Sequence, residues 1–263
     1  MKREPKREAK GCLLQAKHDL DDANENKKEP CGHSVAELYE TVSLINTDLN
    51  IKTRAAMLDA QKAVALLASA EDRFDKINTI AGVDQAFFNN KIISGMVFLD
   101  YTTMKEKDHV HAVKTLRFAY IPTLLSFREG EAILCAYAKP HEKAELLMID
   151  GCGINHPRFA GLATHIGVAL DIPTIGVSKN ILCGTSEQPV DVGEFHPLIY
   201  NNKHTGWVLL SKENCNPIII APGHRVSLAS SIEIVKHCLR GYKLPEPIRQ
   251  AHNYVNTVKK EME

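Results

Sequence analysis

The sequence predicts an α/β fold, a mixed β-sheet flanked by helices, preceded by an N-terminal helical or disordered extension. Three observations carry this. Strand-like alternation over Ile80 to Phe88 and over Lys91 to Leu99 flanks Asn89-Asn90, which suits a hairpin turn. From Arg128 onward, helical and strand-like periods alternate, the pattern of β-α-β units. With 263 residues, 44% of them apolar, the chain can close a full core.

The elements follow in order. Residues 1–33 mix both charges with few large apolar side chains and cannot bury a core. The extension is therefore set at 1–50 and the folded domain at 51–263. Within the extension, Ser34 and Glu37 form a capping box ahead of Leu38, Val42 and Ile45. Met57, Ala60, Val64 and Leu67 share one face of a helix from about Thr53 to Ala70. After the hairpin comes a third strand, His109 to Arg117. Helix Arg128 to Ala138 then precedes the apolar strand Leu146 to Asp150, and helix Arg158 to Leu170 precedes the strand Thr174 to Val177. Strands are expected near Trp207 to Leu210 and Pro217 to Ala221. A final helix runs from Ser227, its N-cap, to Gly241 at C′.

Composition excludes several classes. Lys plus Arg (32) equals Asp plus Glu (32), so any nucleic-acid contact must come from local charge. No apolar run approaches the roughly 18 residues of a membrane span, so no membrane association is expected. The charged first thirty residues do not resemble a signal peptide. Seven dispersed cysteines without a C-x-x-C pair fit neither a disulfide framework nor a zinc ribbon and point to the cytoplasm.

Candidate chemistry collects where open α/β sheets place it, just beyond the carboxyl ends of strands. Asp150 ends an apolar strand and is followed by Gly151-Cys152-Gly153, which admits close approach of a ligand. His156 stands where G-x-G-x-x-G would need its third Gly, so a dinucleotide cradle is unsupported, and there is no Walker A lysine motif. His141-Glu142 lacks the second His of a zincin. Asn155-His156-Pro157-Arg158 is expected to open a helix, where His156, Arg158 and free amides could take a phosphate. Asp84 lies in an apolar strand and needs a partner or a metal. Glu129 could serve as a helix-capping residue or join Asp84 and Asp150 as a third carboxylate. Such a trio suits Mg²⁺, which takes a few carboxylates plus water and phosphate oxygens. The alternating His109 and His111 read as a solvated pair.

An ordered set of strings then resembles the endonuclease V family. They are Ala81-Gly82-Val83-Asp84; Tyr120-Ile121-Pro122 with Leu125-Ser126-Phe127-Arg128-Glu129; Asp150-Gly151-Cys152-Gly153-Ile154-Asn155-His156-Pro157-Arg158; Pro173 to Lys179; Asn216-Pro217; Gly223-His224-Arg225-Val226-Ser227; and Gly241 to Pro247. The resemblance spans roughly Lys52 to Arg249. It implies an RNase H-like fold and a Mg²⁺-dependent endonuclease of DNA repair, with Mn²⁺ as the alternative metal. That enzyme would nick at the second phosphodiester bond 3′ to deoxyinosine, and DNA containing deoxyinosine is the implied partner of a monomer. The alternatives are an inosine-specific ribonuclease acting on inosine-containing RNA and a non-cleaving RNase H-like binding module.

Residue by residue, the resemblance implies that Asp84, Glu129 and Asp150 hold the metal and that Lys179 and His224 complete the catalytic set. Tyr120 would be the wedge that fills the gap left by a flipped base. Leu125, Gly151 and Leu182 would line the base pocket, beside His156 and Arg158. Amides of the Gly-rich loop could read the base edge, and Arg158, Lys179 and Arg225 could face the strand. Ala119 and Thr123 depart from the family pattern, where Pro and Gly are usual, and Gln85-Ala86-Phe87 departs after the first Asp.

Overall fold

The computed structural model describes residues 54–139 and 142–263. The extension, its capping box and His141 lie outside the described residues. Helix α1 (Arg54–Leu67) leads into β1 (Thr79–Phe88), β2 (Lys91–Asp100) and β3 (Glu106–Thr115). Then come α2 (Leu125–Tyr137), β4 (Leu146–Asp150), α3 (Leu162–Leu170) and β5 (Thr174–Ser178). The remaining elements are β6 (Phe195–Tyr200), β7 (Lys203–Leu209), β8 (Ile218–His224), α4 (Leu228–His237) and α5 (Glu246–Glu261). The strands form one sheet in the order β3-β2-β1-β4-β5-β8-β7-β6. β1, β4 and β5 run parallel, and β2, β3, β8, β7 and β6 join antiparallel, so the expected mixed sheet is present.

Period-two alternation assigns the two faces. Ala81, Val83, Leu147 and Ile149 pack against Ile133 and Ala136 of α2 and Leu162 and Ile166 of α3. Ile80, Leu146, Met148, Ile175 and Val177 point the other way, onto Ile232 and Val235 of α4 and Ile248 and Ala251 of α5. Val64 of α1 closes on Ala160 and Val168. Ser227 caps α4 as expected, its hydroxyl accepting from the Ser230 amide.

Several boundaries differ from expectation. The third strand begins earlier, at Glu106. Helix α3 begins at Leu162 rather than Arg158, because Phe159 takes a left-handed φ of 54° and Gly161 is extended. Helix α4 ends at His237, and Gly241, at φ 77°, belongs to the turn beyond it. Two elements were not expected. Strand β6 carries Pro197, which is tolerated on this sheet edge. Helix α5 opens at Pro245-Glu246-Pro247, with Pro in the first turn, and its apolar positions Ile248, Ala251, Val255 and Val258 are at helical spacing and buried.

Candidate active site

The same alternation that buries the strands sets the chemistry at their ends. Ile80, Gly82 and Asp84 share a face of β1; Leu146, Met148 and Asp150 share that face of β4; Ile175 and Val177, then Lys179, continue it on β5. Because Val83 pairs with Ile149 and Asp150 with Val177, the three polar residues emerge side by side at one end of the sheet. Lys179 Nζ donates to Asp150 Oδ2 at 2.6 Å. Glu129 comes from α2, five residues into the helix and buried, so it is no first-turn cap.

Electrostatics tie these groups together. Burial first, then the charge of Asp150, raises the Asp84 pKa. The same two causes, with a smaller push from Asp84, lift Glu129 to about 8. Burial works against the Lys179 ammonium, but the charge and hydrogen bond of Asp150 outweigh it and raise its pKa. Asp84, Glu129 and Asp150 thus feel one another's charge, and an added cation would relieve their repulsion. Among the described residues no three His, Cys, Asp or Glu side chains stand ready to hold a metal ion. The donors are nevertheless of the right kind, oxygen-only ligands for a hard divalent cation. The residues fit the metal by chemistry, with Lys179 held on Asp150.

The structure brings in one residue that the sequence did not single out and removes another. His252 on α5 donates from Nδ1 to Asp84 Oδ2 at 2.7 Å, while its Nε2 accepts from Asn256 at 3.1 Å. The signal was present, since His252 lies one turn after Ile248, at the edge of the apolar stripe of α5, with its side chain half exposed. His224 is corrected. β8 runs antiparallel to β5, so His224 pairs with Thr174 while Ile219 pairs with Ser178, which puts His224 at the opposite end of the sheet from Asp150. There it accepts from the Ser69 amide and donates to Asp171, a structural position.

Beside the acids lies a cavity of ≈ 330 Å³. Asp150, Gly151 and Lys179 line it together with Tyr120, Leu125, His156 and Leu182. It therefore unites the expected pocket residues with two members of the charged cluster. Tyr120 stands 66% exposed at the rim. Cys152 lines the wall, and burial pushes its thiol up to about 11, which disfavours the reactive thiolate. Three expectations change here. The Gly151 and Gly153 amides already donate to Val177 O and Asn155 Oδ1, so they do not read a base edge. Arg158 does not sit at a helix start; it bonds Gln61 and Thr123. Arg225 is paired with Asp171, at the far end with His224.

Neighbouring His156 and His165 are buried, and burial pushes each down to about 4, helped by Arg158 for His156 and by His156 for His165. An unfolded chain binds these protons near the ordinary pKa of about 6.5, so stability is full above that value and is lost as pH falls toward 4. Neither ring nitrogen of His165 has a hydrogen-bond partner among the described residues. We expect wild type to lose more stability than His165→Leu between about pH 7.5 and about pH 5, measured by urea midpoints. Asp84 and Glu129 titrate in the opposite sense in both proteins and cancel from the difference. Parallel midpoints would remove His165 from the acid response.

A mixed eight-stranded sheet flanked by helices, with two strand carboxylates, a helix carboxylate and a cavity gathered at one end, defines an α/β protein with an acidic cleft. The family model for endonuclease V matches residues 61–253. The chain is 42% identical over 216 residues to endonuclease V of Haloarcula marismortui, covering 75% of this chain and 79% of that protein. The crystal structure of endonuclease V from Streptomyces avermitilis superposes with a TM-score of 0.75 at 29% identity, over 80% of this chain and 94% of that one. An endonuclease V variant from Ciona intestinalis, in complex with a 23mer DNA containing an inosine followed by a ribo-adenosine, matches with a TM-score of 0.69 at 26% identity, over 82% of this chain and 100% of that one. The chain belongs to the endonuclease V family and is an endonuclease, a hydrolase of phosphodiester bonds. No helix among the described residues is long and apolar enough to cross a membrane.

Proposed function

We propose that this chain is a Mg²⁺-dependent endonuclease that nicks DNA at the second phosphodiester bond 3′ to deoxyinosine. The observation that carries this is the shared wall. Asp150 and Lys179 belong both to the carboxylate cluster and to a cavity large enough for a flipped base. A base seated there leaves its own backbone beside the acids.

Asp84, Glu129 and Asp150 would hold the metal, which when bound supplies charge neutralisation at the phosphate and acidifies the attacking water. His252 orients the Asp84 carboxylate through Nδ1. Lys179, released from Asp150, places an ammonium against the phosphate as negative charge builds in the transition state. Leu125, Gly151 and Leu182 shape the base pocket, His156 closes its side, and Tyr120 holds the space left in the stack. Gel analysis of matched inosine-containing DNA and RNA strands, with Mg²⁺, Mn²⁺ or EDTA, tests the reading. We expect metal-dependent cuts whose product length places the nick at the second bond. Cleavage indifferent to inosine, or undiminished in EDTA, overturns it. The RNA arm is included because the related complex carries a ribo-adenosine after its inosine.

Two variants probe the assignments. Lys179→Ala is expected to lower the single-turnover rate constant by about a hundredfold while changing affinity less. An unchanged rate constant with weaker binding would leave Lys179 as a strand contact only. Tyr120→Ala should lose more activity on inosine in a paired duplex than in a flexible single strand, since a base–aromatic stack is worth about 1–3 kcal/mol. Equal losses on both, with a fall in Tm, return Tyr120 to a packing role.

A further inference from the structure

The loop that carries Tyr120 contains a backbone conformation its sequence does not favour. Ile121-Pro122-Thr123-Leu124 forms a turn closed by the Leu124 amide on Ile121 O at 3.1 Å. Thr123 occupies its third position at φ 70°, where glycine is the unstrained residue and a β-branched side chain is an outlier. Such a conformation persists only where the surroundings over-determine it, and here they do. The Thr123 carbonyl accepts from Gln61 Nε2 at 2.8 Å, Arg158 Nη2 at 3.0 Å and His156 Nε2 at 3.1 Å. Its hydroxyl accepts a second bond from Arg158 Nη2 at 2.6 Å. Gln61 is fully buried, and all of its bonds serve this junction. Its oxygen accepts from Arg158 Nε at 2.6 Å, and its amide also reaches Ala160 O at 3.3 Å. Gln61 and His156 both line the base cavity.

We propose that Gln61, His156 and Arg158 form a polar clamp on Thr123 that fixes the Tyr120 loop over the cavity, so that Gln61, on α1, is a positioning residue for lesion discrimination. The inference rests on the reading of the cavity as a base pocket and of Tyr120 as its wedge. Without the Gln61 amide, Thr123 loses the strut from α1, and its turn can relax and lift Tyr120 from the rim. Arg158 then loses the acceptor that aims its guanidinium at the loop.

A double-mutant cycle on the full chain tests this, with kcat and KM measured on duplexes carrying one inosine or the matching adenine. Gln61→Leu is expected to raise KM for the inosine duplex by about tenfold, the scale of a lost buried hydrogen bond, with a smaller change in kcat. Adding it to Tyr120→Ala should cost little more than the worse single variant, because both act through one loop. Gln61→Glu keeps the acceptor for Arg158 and removes the donor to Thr123. It should lose discrimination at a pH where the new carboxylate is ionised against Arg158, and a Tm above the assay temperature shows that the loss is not unfolding, which keeps the test decisive if the Leu variant folds poorly. Multiplicative losses in the cycle, or a Glu variant with intact discrimination, overturn the clamp while leaving the functional reading standing. A wild-type chain that does not prefer inosine overturns both.

Discussion

Asp150→Asn is expected to lower cleavage by roughly a thousandfold or more while the protein stays folded and retains the inosine strand. Asp150 is the hub of the charged end of the sheet: it ends β4, lines the cavity and bonds Lys179 at 2.6 Å. Its charge also contributes to the raised pKa values of Asp84 and Glu129. An amide keeps its shape and one carbonyl acceptor but is a poor ligand for a hard cation. It also removes the like charge on the other two acids, so both ionise more readily and the buried repulsion falls. The lost ion pair with a Lys179 that is 44% exposed costs at most about 1 kcal/mol. Tm in EDTA should therefore stay within a few degrees of wild type. Near-normal cleavage at ordinary Mg²⁺ would displace Asp150 from the metal set, and a collapsed Tm would make its role structural.

The legible part of this site is the part written into single strands. An apolar run ending in a carboxylate marks Asp150 without any partner in view, because a parallel strand buried on both faces is continuously apolar until it leaves the sheet. Asp84 is legible for a related reason, as the one charge in an apolar β1. Other residues depend on how elements are arranged, and local pattern is silent there. His224 follows an apolar strand just as Asp150 does, and only the antiparallel direction of β8 sends it to the wrong end. Nothing within residues 217–224 encodes that direction. His252 sits on α5, beyond the last expected helix; Pro245 precedes α5 and Pro247 stands in its first turn, where Pro is compatible with a helix. Arg158 and Thr123 show a third case. Basic and hydroxyl side chains near a ligand site suggest contact with the ligand, and in this chain they spend their hydrogen bonds on one another.

Gly82→Ala should destabilise the chain by about 3 kcal/mol or more and carry the active site down with it, although it adds only one methyl group. A Cβ at Gly82 would stand 1.9 Å from Pro247 O and 2.2 Å from its carbonyl carbon. Both are backbone atoms of the first turn of α5, with no rotamer to turn aside. On β2, Gly95 pairs with Asp84 and faces the same helix, its would-be Cβ 2.5 Å from Val255 Cγ1. These two strand glycines form the trough in which α5 lies, and glycine inside a strand marks such a close approach. Their positions relative to Asp84 matter for chemistry. The trough holds α5 against β1, and that contact delivers His252 to the Asp84 carboxylate. An added methyl must lift the start of α5, opening the packing of Ile248 and Ala251 and withdrawing His252. For a domain of this size the expected fall in Tm is roughly 6–12 °C. Cleavage of the variant, assayed well below its Tm, should fall as well, and His252→Ala should then add little to the loss. A Gly82→Ala protein with Tm within about 1 °C of wild type would show that α5 can slide freely, and His252 would lose its fixed place at the site.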